Sequence, residues 1–254
     1  MINIIDSCII TMGGFAAGMV NAIAGGGTLI SFPVLTAVGI PAISANICST
    51  VSLSPGYLAA TFAQLKDLKG QKKRLLIFLP FAALGGIFGG VLLISSGDKL
   101  FQSLIPYLIL IASCLLALQG ALKNILAALQ KQEIKINHFS IWMMFAIALA
   151  SIYGGYFGAG LSVIVLAVLA FAIRDNLTRL NALKQAIGFA VNISTAIFFL
   201  FSNKIVWPVV IIMAIGAILG GLAGGKLAGK IKPVALRYIV VLIGFTVSLF
   251  YFIK

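Results

Sequence analysis

Two groups of three polar residues recur at the same spacing in a chain that is otherwise strongly apolar. Within each group the residues stand at positions i, i+3 and i+4, which share one face of a helix. Amides, hydroxyls and an ammonium on such a face can orient and attract a small anion through hydrogen bonds. The two groups, 135 positions apart, are Asn46, Ser49 and Thr50, then Asn181, Lys184 and Gln185.

A structural interpretation of the same residues also fits the sequence. Ser and Thr side chains often bond to their own helix backbone, and Asn46 and Asn181 stand where helix caps are expected. Lys184 lies near the start of an apolar helix, from which a lysine reaches toward the membrane surface. The sequence leaves both interpretations open.

Glycine-rich breaks precede both polar groups. Three consecutive glycines are poor helix formers and expose backbone N–H groups. A helix that begins after such a break inside the membrane directs its positive end at an anion, although a packed kink is the alternative. The breaks complete the candidate substrate site with Gly25, Gly26, Gly27 and Thr28 in the first half and Gly158 and Gly160 in the second.

The acidic residues argue against a cation as the solute. A cation carrier or proton relay normally places a carboxylate inside the membrane as a counter-charge. With Lys184 inside an apolar segment, an anionic solute is favoured. All five acids lie in termini or connecting segments, namely Asp6, Asp67, Asp98, Glu133 and Asp175.

The sequence lacks the residue patterns of catalysis. It has one histidine, His138, in a polar stretch, and neither an HExxH motif nor a nucleophile elbow accompanies it. The three cysteines stand in apolar surroundings without CxxC spacing, which predicts reduced thiols. We therefore expect no enzyme activity, no catalytic residues, no cofactor and no metal site.

The composition requires a bilayer as solvent. Of 254 residues, 61% are hydrophobic and 9% are charged, and the mean hydropathy is +1.16. The net charge of +13 comes from short basic tracts between apolar segments, a pattern of membrane topology rather than of nucleic-acid binding. These features predict an all-α polytopic membrane protein that contacts the lipid bilayer and no nucleic acid.

The chain divides into two related halves. LGGIFGG at Leu84 to Gly90 returns as LGGLAGG at Leu219 to Gly225, and glycines four apart are typical of closely packed helices. Residues 1–130 and 137–254 are therefore predicted to form two transmembrane repeats, joined by a cytoplasmic linker at 131–136.

Each half opens with an uncharged tract of 35 residues, Ile9 to Ile43 and Phe139 to Ile173. One helix of that length would extend about 52 Å, against roughly 30 Å of hydrocarbon, so each tract must be two elements. They form either a broken pair of crossings or a re-entrant pair, and three transmembrane helices follow in each half.

Five elements per repeat is an odd number, so the second repeat should be inverted relative to the first. Under the positive-inside rule this model places 15 of the 18 basic residues in the cytoplasm, with both termini outside. A simple eight-span model places 10 of the same residues on one side of the membrane and 8 on the other. Inverted repeats with broken helices are frequent in secondary transporters.

Three segments of the chain resemble the TauE/SafE-type sulfite exporter and permease family. They are GMVNAIAGGGTLISFPVL at Gly18 to Leu35, the Ala45–Asn46 start of the next span, and GGYFGAGLSVIVL at Gly154 to Leu166. The resemblance implies a polytopic inner-membrane carrier linked to export of sulfite or uptake of sulfur-containing organic anions. The second half departs from the first, with Ala159 in place of Gly26 and Leu161 in place of Thr28.

Together these patterns predict a multi-pass secondary transporter of the cell inner membrane. Its expected solute is a small anion. Sulfite or an organosulfur anion is the leading candidate because of the family resemblance. A channel or a non-transporting membrane assembly subunit is the rival interpretation. Nothing in the sequence indicates an oligomeric state.

Overall fold

The computed structural model of the protein describes residues 3–23, 25–129, 141–173, 175–227 and 233–253. Every regular element within these ranges is helical, which confirms the all-α prediction. The predicted linker at 131–136, His138 and Glu133 lie outside the described residues. The helices are α1 Ile4–Ile23, α2 Thr28–Ala37, α3 Ala42–Ala63, α4 Lys72–Leu129, α5 Ile141–Tyr156, α6 Leu161–Ala172, α7 Leu177–Leu200, α8 Trp207–Leu227 and α9 Pro233–Ile253.

Glycines with left-handed backbone conformation interrupt both opening tracts. Gly25 and Gly26 have φ values of 77° and 91°, and Gly158 and Gly160 have φ values of 80° and 78°. A positive φ ends a right-handed helix, and side chains other than glycine adopt it only with strain. The prediction that each tract contains two elements is therefore confirmed, with α1 and α2 in the first tract and α5 and α6 in the second.

The second helix of each tract is too short to cross a membrane. The 10 residues of α2 and the 12 of α6 extend about 15 and 18 Å, roughly half of the hydrocarbon thickness. A Cβ added at Gly13 would stand 2.6 Å from a methyl carbon of Val34, so α2 folds back along α1. These dimensions favour the re-entrant alternative over two full crossings.

Three long helical segments follow each opening pair. In the first half they are α3 and the two limbs of α4, residues 72–96 and 98–129, which are separated at Gly97 by a φ of 71°. In the second half they are α7, α8 and α9. The order of elements is thus the same in both halves of the described chain.

Large apolar side chains cover the outside of the helix bundle. Trp142, Leu222 and Phe250 expose 76%, 60% and 61% of their surface. Among the described residues, five helices (α1, α4, α7, α8 and α9) are long and apolar enough to cross a membrane. Such a surface is stable in lipid rather than in water, so the chain is a multi-pass membrane protein.

The repeated glycine motifs form two matching interfaces between the halves. α1 lies on α8, where a Cβ added at Gly220 would collide with the carbonyl oxygen of Phe15. α5 lies on the first limb of α4, where a Cβ added at Gly85 would stand 2.6 Å from the Cβ of Ser151. Each half therefore packs its opening helix against the glycine-rich helix of the other half.

Gly221 is an exception to this close packing. A Cβ added there would have the carbonyl oxygen of Gly18 as its nearest atom in another helix, at 4.0 Å, which is an ordinary contact. At the corresponding position in the first half, a Cβ on Gly86 would stand 2.7 Å from the carbonyl oxygen of Val191. The two copies of the motif thus differ in one glycine.

We predict that Gly220→Ala destabilises the protein and that Gly221→Ala does not, although both add one methyl group. In Gly220→Ala the methyl group meets a backbone carbonyl of α1, and such overpacking costs about 1–3 kcal/mol. In Gly221→Ala the methyl group has room, and alanine is the better helix former by about 1 kcal/mol. Melting temperatures in detergent measure both effects, and equal values for the two variants would contradict the close α1–α8 contact.

Candidate substrate pocket

Charged residues mark the two ends of the bundle. Asp175, just before α7, forms ion pairs with Arg74 at the start of α4 and with Arg179. Beyond the other end of α7, Lys204 lies 4.0 Å from Asp98. We call the end that carries Asp175 the basic end, because Lys66, Lys69, Lys72 and Lys73 also lie in or beside its loops.

A polar pocket of about 380 Å³ lies between the helices toward the basic end. Parts of α1, α3, α4, α6 and α7 surround it. Thr178, which is exposed, and Gln64, which is half-buried, stand at its mouth. Its polar lining consists of Asn21, Tyr57, Gln64, Gln119, Ser162, Thr178, Asn181, Lys184 and Gln185.

Four of the residues that the sequence predicts for the site line this pocket. Gly25 contributes from the first break, and Asn181, Lys184 and Gln185 contribute from α7. The second polar group therefore faces a common space, as its i, i+3, i+4 spacing predicts.

Lys184 brings a positive charge to the wall of the pocket. The residue is 8% exposed, and its Nζ donates a hydrogen bond to Asn181 Oδ1 at 2.7 Å. Asn181 Nδ2 in turn donates to Gln64 Oε1 at 2.9 Å. This chain of hydrogen bonds links α7 to the end of α3 and holds the ammonium near the amide groups.

The start of α7 fixes which residues face the pocket. Asn176 has an extended backbone and caps the helix, because its side-chain oxygen accepts from the backbone N–H of Thr178 at 2.9 Å. The helical rise from this cap places Asn181 one turn from the mouth and Lys184 one turn deeper.

The two glycine breaks approach each other beside the pocket. A Cβ added at Gly25, in the first break, would stand 2.8 Å from Ser162 Oγ, directly after the second break. Both residues line the pocket. The glycine at position 25 therefore provides both the left-handed turn and the space that lets the serine hydroxyl reach the pocket wall.

The first polar group lies in a different environment. Asn46 Nδ2 donates to the carbonyl oxygen of Tyr156, at the end of α5, at 2.8 Å. Ser49 bonds to Ser31 through their hydroxyls at 2.5 Å, and Thr50 donates to the backbone oxygen of Asn46 at 3.0 Å. None of these three residues lines the polar pocket, and Thr50 bonds to its own helix as the structural interpretation expects.

The other predicted glycines and Thr28 form the breaks themselves. Gly26, Gly27 and Thr28 are buried, and Gly27 is the N-cap of α2. Gly160 is the N-cap of α6, and a Cβ added at this glycine would stand 3.4 Å from the Cα of Ala112 in α4. These residues turn the chain and pack against neighbouring helices, and they are not among the residues that line the polar pocket.

An aromatic cluster fills the space on the other side of the second break. Phe32, Phe101 and Phe157 are almost fully buried, and Phe32 and Phe157 meet edge to face with ring centroids 5.5 Å apart. Tyr156 and Phe101 also meet edge to face, with ring centroids 5.7 Å apart. Phe101 stands three residues after Asp98, so the cluster lies toward the end of the bundle that carries Asp98.

Six polar lining residues were not in the predicted site, among them Thr178 at the mouth. Asn21 precedes the glycine run and Ser162 follows the second break, so proximity to the breaks was a usable signal. Gln119 is a buried amide inside an otherwise apolar helix, which is a second usable signal. Tyr57 and Gln64 reach the pocket only through the packing of α3, which the sequence does not reveal.

The comparison with known proteins agrees with this architecture. The family model described as sulfite exporter TauE/SafE matches residues 10–251, which is nearly the whole chain. The chain belongs to the TauE/SafE family. The resemblance found in the glycine-rich segments is thereby confirmed.

Curated relatives of this TauE/SafE protein carry transporter names. A probable membrane transporter protein of Haemophilus influenzae is 26% identical over 235 residues, covering 92% of this chain and 90% of the relative. YfcA of Escherichia coli, also named a probable membrane transporter protein, is 22% identical with 91% and 84% coverage. A Sinorhizobium protein with the same description, ORF9, is 22% identical with 84% and 80% coverage. No solved structure matches the chain.

The family assignment fixes the class of protein. TauE/SafE proteins are membrane transporters, so a small solute and the membrane lipid are partners of this chain. In the described bundle, polar groups surround the pocket beside the two breaks.

Ion pairing near the pocket mouth sets the charge of Asp175. Burial alone would raise the pKa of this carboxyl, but hydrogen bonds from Arg74 and Arg179, then from the backbone N–H of Asn176, outweigh it. The pKa of Asp175 is therefore lowered. The stability that comes from a lowered pKa is present above the unfolded-state pKa, about 3.9, and is lost as the pH falls through the folded-state pKa.

We predict that Asp175→Asn lowers the melting temperature in detergent at pH 7, because it leaves the two arginines without their carboxylate. The gap between wild type and variant should begin to close as the pH falls below about 4, where the carboxyl of the unfolded chain becomes protonated, and should vanish once the pH falls through the folded-state pKa of Asp175. Asp98→Asn is the control, since Asp98 is exposed and its lysine lies at 4.0 Å. A gap for Asp175→Asn that stays constant down to pH 2 would show that its charge does not stabilise the fold.

Proposed function

We propose that this TauE/SafE protein is a secondary carrier of a small anion in the bacterial inner membrane. The observation that carries the proposal is the buried ammonium of Lys184 in the wall of the polar pocket. Sulfite and organosulfur anions are the first candidates, and this order rests on the description of the family.

The charge of the lining favours an anion over a cation. Asp and Glu do not occur among the described residues that line the pocket, whereas Lys184 does. In the low dielectric of a membrane protein, one ammonium attracts an anion much more strongly than it would in water. Amide groups of Asn21, Gln119 and Gln185 add hydrogen-bond donors that fix its orientation.

The size of the pocket suits a small solute that retains some water. A volume of 380 Å³ corresponds to roughly a dozen water molecules at about 30 Å³ each. An oxyanion such as sulfite occupies a small part of that space. Water molecules can bridge the remaining distance to the lining amides.

The aromatic cluster supports a carrier rather than an open channel. We infer that the buried rings of Phe32, Phe101 and Phe157 close the path from the pocket toward the end of the bundle that carries Asp98. A carrier exposes its site to one side at a time, and a pocket accessible from the basic end fits that requirement. The uptake experiment described below distinguishes a carrier from the two alternatives, a channel and a membrane assembly subunit.

The inverted-repeat arrangement is part of this proposal. We assign residues 1–130 and 137–254 to the two repeats, with the linker 131–136 and the basic end in the cytoplasm. The reciprocal packing of α1 on α8 and of α5 on α4 supports this arrangement, because a two-fold relation between the repeats generates both interfaces at once. The same relation accounts for 15 of the 18 basic residues on one side.

We predict that Lys184→Ala weakens anion uptake by purified protein in vesicles without loss of membrane insertion. A hydrogen bond to a charged group contributes about 1.5–3 kcal/mol, which corresponds to roughly a 10- to 100-fold rise in the half-saturating anion concentration. Sulfite, thiosulfate, sulfonates and carboxylates are the solutes to compare. Lys204→Ala, the same substitution at the opposite end of the bundle, is the matched control and should leave uptake unchanged.

Two results would contradict the proposal in different ways. Unchanged affinity in Lys184→Ala, with verified protein content, would remove Lys184 from the site and return it to the interfacial role. Flux that only equilibrates each anion across the membrane would identify a channel, and the absence of flux for every anion would favour an assembly subunit.

A further inference from the structure

Asn46 carries a buried acceptor that the helix bundle does not use. The residue is 1% exposed, and its Nδ2 donates to Tyr156 O at 2.8 Å. Among the described side chains, Asn46 Oδ1 is a buried atom without a hydrogen-bond partner. Burying such an oxygen unpaired costs roughly 1–3 kcal/mol, so a group that binds there is favoured.

The surroundings of Asn46 Oδ1 have negative character. Tyr156 is the last residue of α5, and the final carbonyl groups of a helix carry the negative end of its dipole. Gly155, one residue earlier, packs against the carbonyl oxygen of Gly86, near the middle of the first limb of α4. The helix end therefore lies at mid-depth in the bundle, where water does not screen it.

The amide could also be turned by 180°, since its oxygen and nitrogen exchange places with little change in shape. Asn46 Oδ1 would then stand beside Tyr156 O at the present 2.8 Å. Two acceptors at that distance require a cation or a donor between them. Both orientations of the amide therefore provide an oxygen for a positively charged group.

The second half of the chain has an asparagine at the corresponding position, and there the side-chain oxygen is paired with a cation. Asn181 corresponds to Asn46 at the offset of 135 residues, and its Oδ1 accepts from the ammonium of Lys184 at 2.7 Å. The residue that corresponds to Lys184 in the first half is Ser49, which bonds to Ser31 instead. The first half thus keeps the asparagine oxygen but lacks the ammonium.

We propose that Asn46 Oδ1 and the carbonyl end of α5 form a binding site for a monovalent alkali cation, with Na⁺ as the probe. Neutral oxygens at a helix C-terminus are ligands that Na⁺ takes in membrane carriers. Divalent cations draw on carboxylates, and the described site offers none. Such a site lacks the His, Cys and acid pattern of metal centres, which explains why the sequence did not predict it.

The two sites flank one structural element. Asn46 contacts Tyr156 directly before the second break, and Ser162 directly after it lines the anion pocket. A cation at Asn46 would hold the break in place and compensate the charge of the anion. Coupling of Na⁺ to anion movement rests on the proposed carrier function, whereas binding of Na⁺ does not.

Thermal unfolding of the purified protein tests the site directly. Choline chloride is replaced stepwise by NaCl at constant ionic strength, and the melting temperature should rise and saturate with Na⁺. In Asn46→Ala the half-maximal Na⁺ concentration should increase by at least roughly tenfold, because the ligand oxygen is lost. Asn181→Ala, the same substitution at the corresponding position, should keep the Na⁺ response.

Asn46→Asp is the second variant, for the case in which Asn46→Ala does not fold. It keeps an oxygen and adds a negative charge, so its Na⁺ response should begin at a lower concentration than in wild type. A wild-type melting temperature that is the same in NaCl, KCl and choline chloride would overturn the proposal. So would a Na⁺ response that Asn46→Asp leaves unchanged, or one that depends on Asn181 instead.

Anion uptake in the same preparations separates this proposal from the proposed function. Concentrative uptake of sulfite without any Na⁺ effect on stability would overturn the cation site and leave the anion carrier standing. A saturating Na⁺ response without uptake of any anion would support the cation site and contradict the carrier.

Discussion

Backbone groups at the two helix breaks must be hydrogen-bonded or solvated inside a membrane, and the rest of the structure depends on that constraint. Lipid offers no partners, so irregular backbone persists there only when protein buries it or when it lines a polar cavity. Both conditions hold here. Glycine interfaces bring α1 onto α8 and α5 onto α4, and these helices enclose the breaks, while the pocket lies beside Gly25.

The two halves have the same order of helices but different side chains at corresponding positions. Asn46 and Asn181 stand at corresponding positions, but Lys184 faces the pocket where Ser49 is buried against Ser31. One half therefore presents a fixed positive charge and the other an unused acceptor. Under the proposed function, this divergence lets the protein hold an anion at one break without a second anion site at the other.

Periodicity and glycine chemistry made much of the fold predictable. The glycine runs predicted both breaks, because a left-handed φ is a local property of those residues. The polar spacing on α7 predicted the pocket face of Asn181, Lys184 and Gln185. The contacts between distant parts of the chain depend on tertiary packing and could not be predicted. The hydrogen bond from Asn46 to Tyr156, for example, joins residues 110 positions apart, and no local pattern specifies it.

The proposed anion site lies at Lys184, beside the meeting point of the two breaks. Selenite has the charge and shape of sulfite and scatters X-rays anomalously, so crystals soaked in selenite locate the anion directly. We expect an anomalous peak within hydrogen-bond distance of Lys184 Nζ, near Asn181 and Ser162. A protein that transports selenite but shows its peak away from this pocket would rule out anion binding at Lys184.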